Sequence, residues 1–521
     1  MTTPGDSGPG SRNLAVLAQS AFERLGDYES LVFEGRAYRS GELFDRACRA
    51  STGLARLGVM PGDRVVVLMA NCPEVGICYN AIWRAGAVVT PVVFLVSPPE
   101  LAHILSDSGA VAVVTTPELL ATVGAAAAEA PGLRHVIVVG GAPDAGSLPG
   151  HVRGLDFAEI EAAPPGGIVP AGDDDLAALM YTGGTTGRAK GVMLSHRNLF
   201  ACSRSSDAAS QAEGITTSLT PLPLSHAYGM IVTLVGLHAT ERGLSVLQRW
   251  FDPAGLLALV ERHRVQRMAL VPAMIQMLLA QPLEESDLSS LAYVNSGAAP
   301  LAPETRERWE RRVPGCEILE GYGCTESGAV ISVNPPGAAR PGSVGLPIPG
   351  YEVSIRDDSD AEVPAGADGE ICVRAEGVMT GYWNAPEETA AALRGGWLHT
   401  GDIGHVDADG YLYVVDRKKD LILRGGFNVF PRDVEDVLLG HPAVAMAGVV
   451  GRPDARLGEE VVAFVSLRPG AQATPGEIIE FARGRLAAHK YPREVRIVDA
   501  VPLTSVGKLD RKALRARLPA G

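Results

Sequence analysis

From residue 64 the chain alternates short β-branched runs with helix-length stretches, and this alternation narrows the available folds more than any other feature. RVVVLMA (64–70) is followed by PEVGICYNAIWRAG (73–86), AVVTPVV (87–93), PELAHILSDSG (99–109) and AVAVVTT (110–116). A further helix-like segment then leads into HVIVVGG (135–141). Short apolar runs separated by helical segments favour parallel pairing through crossover helices, which is an α/β core. The stretch 141–172, rich in Gly, Pro and Asp, reads as a surface run. DLAALMY (175–181) is a further strand candidate, so whatever follows it lies at a strand's carboxyl end, where open α/β sheets bind ligands.

After about 340 the texture changes to hairpins. VSIRD, GEICVRA and YLYVVDR are short strands, with DADG (407–410) as a turn between two of them. The last hundred residues mix strands (VAMAGVV, EEVVAFVSL) with a helix announced by Thr474, Pro475 and Glu477, a capping box with Pro at the first helical position. A domain boundary is expected near DRKKDL (416–421), giving a large N-terminal domain, 1–417, and a small C-terminal one, 418–521.

At 521 residues there is room for about three domain-sized units. A net charge of −14 argues against a broad nucleic-acid footprint. Seven Cys, with no C-x-x-C pair, read as reduced thiols rather than a disulfide framework or a zinc site. The first fourteen residues carry no apolar signal-peptide core, and no run of eighteen apolar residues occurs, so a cytoplasmic protein without a membrane span is expected.

The segment LMYTGGTTGRAKGVML (179–194) concentrates four Gly and three Thr around one Arg and one Lys. Backbone N–H groups, hydroxyls and an ammonium together suit phosphate oxygens. It is not a Walker loop. That motif needs Gly directly before the Lys and Ser or Thr directly after, whereas Ala189 and Gly191 flank Lys190.

Three further stretches make this loop interpretable: EGYGCTESG (320–328), WLHTGDIG (397–404) and PLTSVGKLDRKAL (502–514). In this order and spacing, over nearly the whole chain, they resemble the adenylate-forming superfamily of acyl-CoA synthetases, carrier-loading adenylation domains and luciferases. The resemblance implies α/β subdomains plus a β-rich subdomain in the large domain, and a small mobile α+β C-terminal domain. It assigns Thr182, Gly183, Gly184, Thr185, Thr186, Gly187 and Lys190 to the β- and γ-phosphates of ATP, with Gly184 and Ala189 departing from the commoner Ser and Pro. Tyr322 and Gly323 would take the adenine, Thr325 the α-phosphate and Glu326 the Mg²⁺, which accepts one or two carboxylates alongside phosphates. NSGAAPL (295–301) would line the adenine edge through Gly297, Ala298 and Ala299, and Asp402 and Arg417 would hold the ribose.

Lys508 resembles the lysine that assists when a carboxylate attacks the α-phosphate, a meeting of two anions in which charge neutralisation is the main task. Lys419 falls at the hinge between domains, and Gly425 and Gly426 where the pantetheine arm of coenzyme A would pass. A Lys frequent in relatives near Leu423 is missing. The acyl pocket is expected along PLSHAYGMIV (223–232), with His226 at its mouth as a catalytic candidate and Ala227, Tyr228, Val232, Met274 and Gly321 as walls. His226 reads equally well as a satisfied structural imidazole. No Arg or Lys stands among Tyr228, Met230, Ile231, Val232 and Met274, so an uncharged-tail aliphatic or aryl monocarboxylate is expected.

The implied reaction is ATP-dependent formation of an acyl-adenylate followed by transfer to coenzyme A, in a monomer or homodimer. Loading of a carrier protein's phosphopantetheine, retention of one half-reaction, an oxygenase of the luciferase kind and a non-catalytic nucleotide-binding paralogue stay open on sequence.

Overall fold

The computed structural model describes residues 11–144, 146–182, 189–210, 212–454, 456–503 and 509–518. Among them are four sheets, two large and two small.

The eight-stranded sheet carries the alternation read from the sequence. Arg64–Leu68, Val88–Pro91, Ala112–Thr115 and His135–Val138 pair in parallel, with Leu176–Thr182 beyond Val88–Pro91. Val65, Val66 and Val67 are fully buried, which is why this stretch runs apolar without alternating. Between the strands, the helix Pro98–Ser108 starts at a reciprocal Ser97–Glu100 capping box and stops at Gly109 in the left-handed region.

The 141–172 segment departs from expectation. It contains the strand Arg153–Asp156, which extends the parallel sheet beside His135–Val138, and the helix Phe157–Glu161. An Asp156–Glu159 capping box starts that helix, a signal hidden among the Gly and Pro around it.

The nine-stranded sheet has a parallel centre: Leu244–Leu247, Thr217–Thr220, Arg267–Leu270, Tyr293–Ser296 and Glu317–Tyr322, adjacent in that order. One face packs Leu219, Val246, Met268 and Val294 into an apolar cluster closed by Trp309. A buried amide clamps the two large sheets together at their carboxyl ends. Asn71, following Arg64–Leu68, donates to the carbonyls of Leu222 (2.8 Å) and Gln248 (3.0 Å) and accepts from the Leu224 N–H (2.9 Å).

The hairpin texture after 340 is an antiparallel four-stranded sheet of Glu352–Arg356, Gly369–Arg374, Leu398–Val406 and Leu412–Arg417. The next strand, Ile422–Arg424, already belongs to the five-stranded sheet, with Phe427–Val429, Val444–Asp454, Gly458–Leu467 and Glu494–Ile497. Helices Pro431–Leu439, Pro475–Arg483 and Arg511–Arg515 accompany it. The Thr474–Glu477 capping box opens the second of these, as read from the sequence. All seven cysteines are free thiols. Among the described residues no helix is long and apolar enough to cross a membrane.

Candidate active site

A cavity of about 1070 Å³ opens where the large sheets meet the four-stranded sheet and the C-terminal tail. At one end the strand Glu317–Tyr322 delivers Tyr322, whose hydroxyl donates to Asp402 Oδ2 at 2.6 Å. Arg417 Nε holds the other oxygen, Oδ1, at 3.2 Å. Asp402 is buried, so its charge is fixed in place by these two donors and by the local turn, where its N–H bonds Thr400 Oγ1. Burial, then the adjacent Asp402 charge, pushes the Tyr322 phenol well above its ordinary value and keeps it a donor.

Past Tyr322 the backbone turns at Gly323, where a Cβ would come within 1.9 Å of the Ala329 carbonyl oxygen. No larger residue fits. Thr325 and Glu326 follow in a short 3₁₀ turn and line the cavity. Glu326 accepts from the Tyr382 hydroxyl at 2.9 Å, and the Lys190 ammonium lies over the same Tyr382 ring at 5.4 Å from its centroid. Acid, phenol and ammonium thus stand in one file.

Gly297, Ala298 and Ala299 line the cavity after the strand Tyr293–Ser296. Ala298 has φ +69°, a left-handed conformation costly for a residue with a Cβ and found where backbone is held for a ligand. Asn295 Oδ1, Ser296 Oγ and Ser225 Oγ are buried without a hydrogen-bond partner, and all three residues line the cavity. Unsatisfied buried polar atoms of this kind suit a nucleotide or acid substrate that would complete them. One carboxylate, Glu326, suits Mg²⁺ only if phosphate oxygens supply further ligands; no group of three or more His, Cys, Asp or Glu residues able to hold a metal occurs among the described residues.

His226 caps the helix Ala227–Val235, its Nδ1 accepting from the Tyr228 N–H at 3.2 Å. The ring therefore does a structural task while also lining the cavity. Its segment is pinned from beneath by Asn71 and by the Tyr79 hydroxyl, which donates to the Leu224 carbonyl at 2.9 Å. Ala227, Tyr228, Val232 and Gly321 line the same space. Met274 does not: it packs against the apolar cluster on the other side of the nine-stranded sheet. The expectation of a cation-free pocket also fails, because Arg267, at the start of the strand Arg267–Leu270, lines the cavity. It lies outside the 223–232 stretch and was invisible to a search along that segment.

The C-terminal tail reaches this site. Leu509, Asp510, Arg511, Lys512 and Arg515 line the cavity, as does Lys419. Arg511 pairs with Glu435 at 2.7 Å and with Asp420 at 3.5 Å, and Asp420 also pairs with Arg515 at 2.8 Å. Burial raises the Glu435 carboxyl to about 7. Burial, then the neighbouring Arg417 charge, lowers the Lys419 ammonium to about 8. Gly425 and Gly426 are not brought to the cavity. They form the two-residue turn between Ile422–Arg424 and Phe427–Val429, both at positive φ, and that hairpin alone requires glycine there. Gly183, Gly184, Thr185, Thr186, Gly187 and Lys508 lie outside the described residues; Thr182 and Lys190, on the paired antiparallel strands flanking the loop, face each other in register and line the cavity.

Sequence reasoning passed over Tyr382, Asn71, Arg267 and the Asp420–Arg511–Glu435 cluster. Only Asn71, a lone amide in an apolar run, carried a local signal.

Comparison with known proteins gives concordant matches. The AMP-binding enzyme family matches residues 18–383, and the AMP-binding enzyme C-terminal domain matches residues 433–508. The chain is 38% identical to a feruloyl-CoA synthase of Amycolatopsis sp over 493 residues, covering 93% of this chain and 94% of that protein. It is 35% identical to a long-chain-fatty-acid–CoA ligase of Bacillus subtilis, covering 96% and 93%. ATP-bound MatB from Rhodopseudomonas palustris superposes with a TM-score of 0.87 at 31% identity, over 97% of this chain and 98% of that one.

Proposed function

The chain belongs to the AMP-binding enzyme family, and from that membership we propose an AMP-forming acid–CoA ligase that activates an aryl or aliphatic carboxylic acid with ATP and passes the acyl group to coenzyme A. The observation that carries this reading is the single cavity joining the Tyr322–Asp402 pair, the Glu326–Tyr382–Lys190 file, the His226 helix and the C-terminal tail. A nucleotide site, an acid pocket and a cationic tail in one volume suit a reaction between an acid and ATP.

Tyr322 gives the adenine a face, and Asp402 accepts from both ribose hydroxyls. Lys190 and Thr182 hold phosphate oxygens together with Gly183, Gly184, Thr185, Thr186 and Gly187. Glu326 would hold Mg²⁺, which would supply positive charge to offset that of the phosphates. When the carboxylate attacks the α-phosphate, Thr325 orients that phosphate and Lys508 neutralises the meeting anions, pyrophosphate leaving. The position of Leu509, Asp510, Arg511, Lys512 and Arg515 on the cavity wall supports this role for the tail.

Gly425 and Gly426 lie away from the cavity, which supports a second pose in which the small domain, 418–521, turns about Lys419 and presents the glycine turn to the thiol. Seven free thiols suit a reducing cytoplasm. Free coenzyme A is favoured over a carrier protein because the relatives matched along most of the chain are named as CoA ligases.

The test is purified full chain with ATP, Mg²⁺, free coenzyme A and a panel of aryl and medium-to-long aliphatic acids. Pyrophosphate, AMP and acyl-CoA should appear in equal amounts. Adenylate formation without thioester would point to a carrier protein or another acceptor instead.

A further inference from the structure

The end of the cavity remote from the nucleotide is polar, and one row of the nine-stranded sheet makes it so. Tyr293 pairs with Arg267, Arg267 with Ser218 and Ser218 with Ser245, in register across four parallel strands. Residues directly opposed on neighbouring parallel strands share a face. Two residues further on, the same face carries Asn295, Ala269 and Thr220, while the intervening Val294, Met268 and Leu219 point into the apolar cluster. Arg267, Ser218 and Ser245 line the cavity, and Ser206 and Ser210 reach it from the helix above. A pocket built only for an alkyl tail has no use for this row.

Arg267 is the charged member, with five donors to satisfy. Among the described residues its one hydrogen bond is a long contact, Nη1 to the Tyr293 hydroxyl at 3.5 Å, and that hydroxyl itself donates to the Ser210 carbonyl at 3.3 Å. Among the described residues no carboxylate forms an ion pair with Arg267. Tyr228, on the helix across the cavity, is close enough for the Arg267 charge to act on its phenol. A guanidinium left so nearly empty at the end of an otherwise neutral pocket asks for an oxygen acceptor from the substrate.

We propose that Arg267 selects acids carrying an oxygen acceptor at the end remote from the activated carboxyl. The assignment rests on the reading of this cavity as the acyl site. From the Arg267–Tyr293 row to Gly297 is four residues along the strand, roughly 13 Å at about 3.3 Å per residue; the Arg side chain shortens the gap to on the order of 10 Å. Two sources supply an oxygen there: the ring oxygen of a 4-oxygenated aryl acid and the second carboxylate of a medium-chain dicarboxylic acid.

The test compares shape-matched pairs in thioester formation with free coenzyme A: 4-hydroxycinnamate against 4-methylcinnamate, and octanedioate against octanoate. The natural chain should favour the oxygenated member of at least one pair by about ten- to hundred-fold in kcat/KM, the range of a charge-assisted hydrogen bond. Arg267→Met should erase that preference while KM for ATP, measured with the apolar acid, stays unchanged. Arg267→Gln, which keeps donors but no charge, should retain a phenol preference and lose a carboxylate one, and it serves if Met is not tolerated. Preference for both apolar members in the natural chain, an unchanged ratio in Arg267→Met, or an unchanged octanedioate preference in Arg267→Gln would overturn the assignment alone. Failure of every acid to form an adenylate would overturn the ligase reading and this assignment together.

Discussion

The hydroxyl of Tyr322 and the carboxylate of Asp402 stand eighty residues apart in sequence and 2.6 Å apart in space. Each was legible by itself, because Gly on both sides of Tyr322 and a Gly before Asp402 marked places where main chain and ligand meet. Their bond was not, since nothing in EGYGCTESG points to WLHTGDIG. Tyr322→Phe keeps the ring and removes only the donor. A hydrogen bond to a charged group contributes about 1.5–3 kcal/mol, so KM for ATP should rise ten-fold or more with the KM for the acid little changed. Saturation curves for the two substrates check this; equal changes in both would mean the bond serves the fold. Tyr382 illustrates the opposite case. It holds Glu326 and covers Lys190, yet it sits on the two-residue strand Gly381–Tyr382, which has no pattern of its own, and only folding reveals it.

At the scale of the element, strands and helices between 64 and 140 were readable because buried β-branched runs and capping residues are local signals. What escaped was the strand–helix pair inside 141–172, where turn-forming composition masked the Asp156–Glu159 box. Long-range pins escaped as well. His196 opens the helix His196–Ser210, is buried, and accepts the Leu14 N–H on Nδ1 at 3.2 Å, fastening the N-terminal helix Leu14–Leu25 to it. Burial lowers its pKa to about 4. The unfolded chain therefore binds a proton below about 6.5 that the folded chain refuses until about 4. The stability conferred by neutral His196 is complete above pH 6.5 and is lost as pH falls toward 4, by up to roughly 3 kcal/mol. His196→Asn, whose amide oxygen can still accept the N–H, should flatten the fall in Tm between pH 7 and pH 5. Parallel curves for the two proteins would assign the acid sensitivity elsewhere.

For the whole molecule, the four-stranded sheet ends at Arg417 and the five-stranded sheet begins at Ile422. The contacts that set the small domain on the large one were beyond reach of sequence, because they join residues 16 to 164 positions apart. Arg432 bonds the Asp416 carboxylate and the Val414 carbonyl, and Arg468 pairs with Glu304; within the small domain Asp420 gathers Arg511 and Arg515. Polar contacts of this kind hold a pose that can be left again, as domain motion requires. Asp420→Asn should loosen the tail from the cavity. Acyl-adenylate formation is expected to slow roughly ten-fold, the worth of a charge-assisted bond, with thioester formation from supplied adenylate unaffected. Single-turnover assays of each half-reaction separate the two, and equal slowing of both would show that Asp420 supports the fold rather than the pose.

The polar row across the nine-stranded sheet has a consequence for descent. Residues we assign to the nucleotide sit on turns and at strand ends, each tied to several others, so altering one disturbs a shared engine. The row from Tyr293 to Ser245 lies on regular strands, four residues before Gly297, and Arg267, Ser218 and Ser245 in it line the cavity. One exchange there retunes which acid is accepted and leaves activation chemistry intact. A lineage built on this scaffold can wander through diets of acids by single steps, without ever passing through an ancestor that cannot burn ATP.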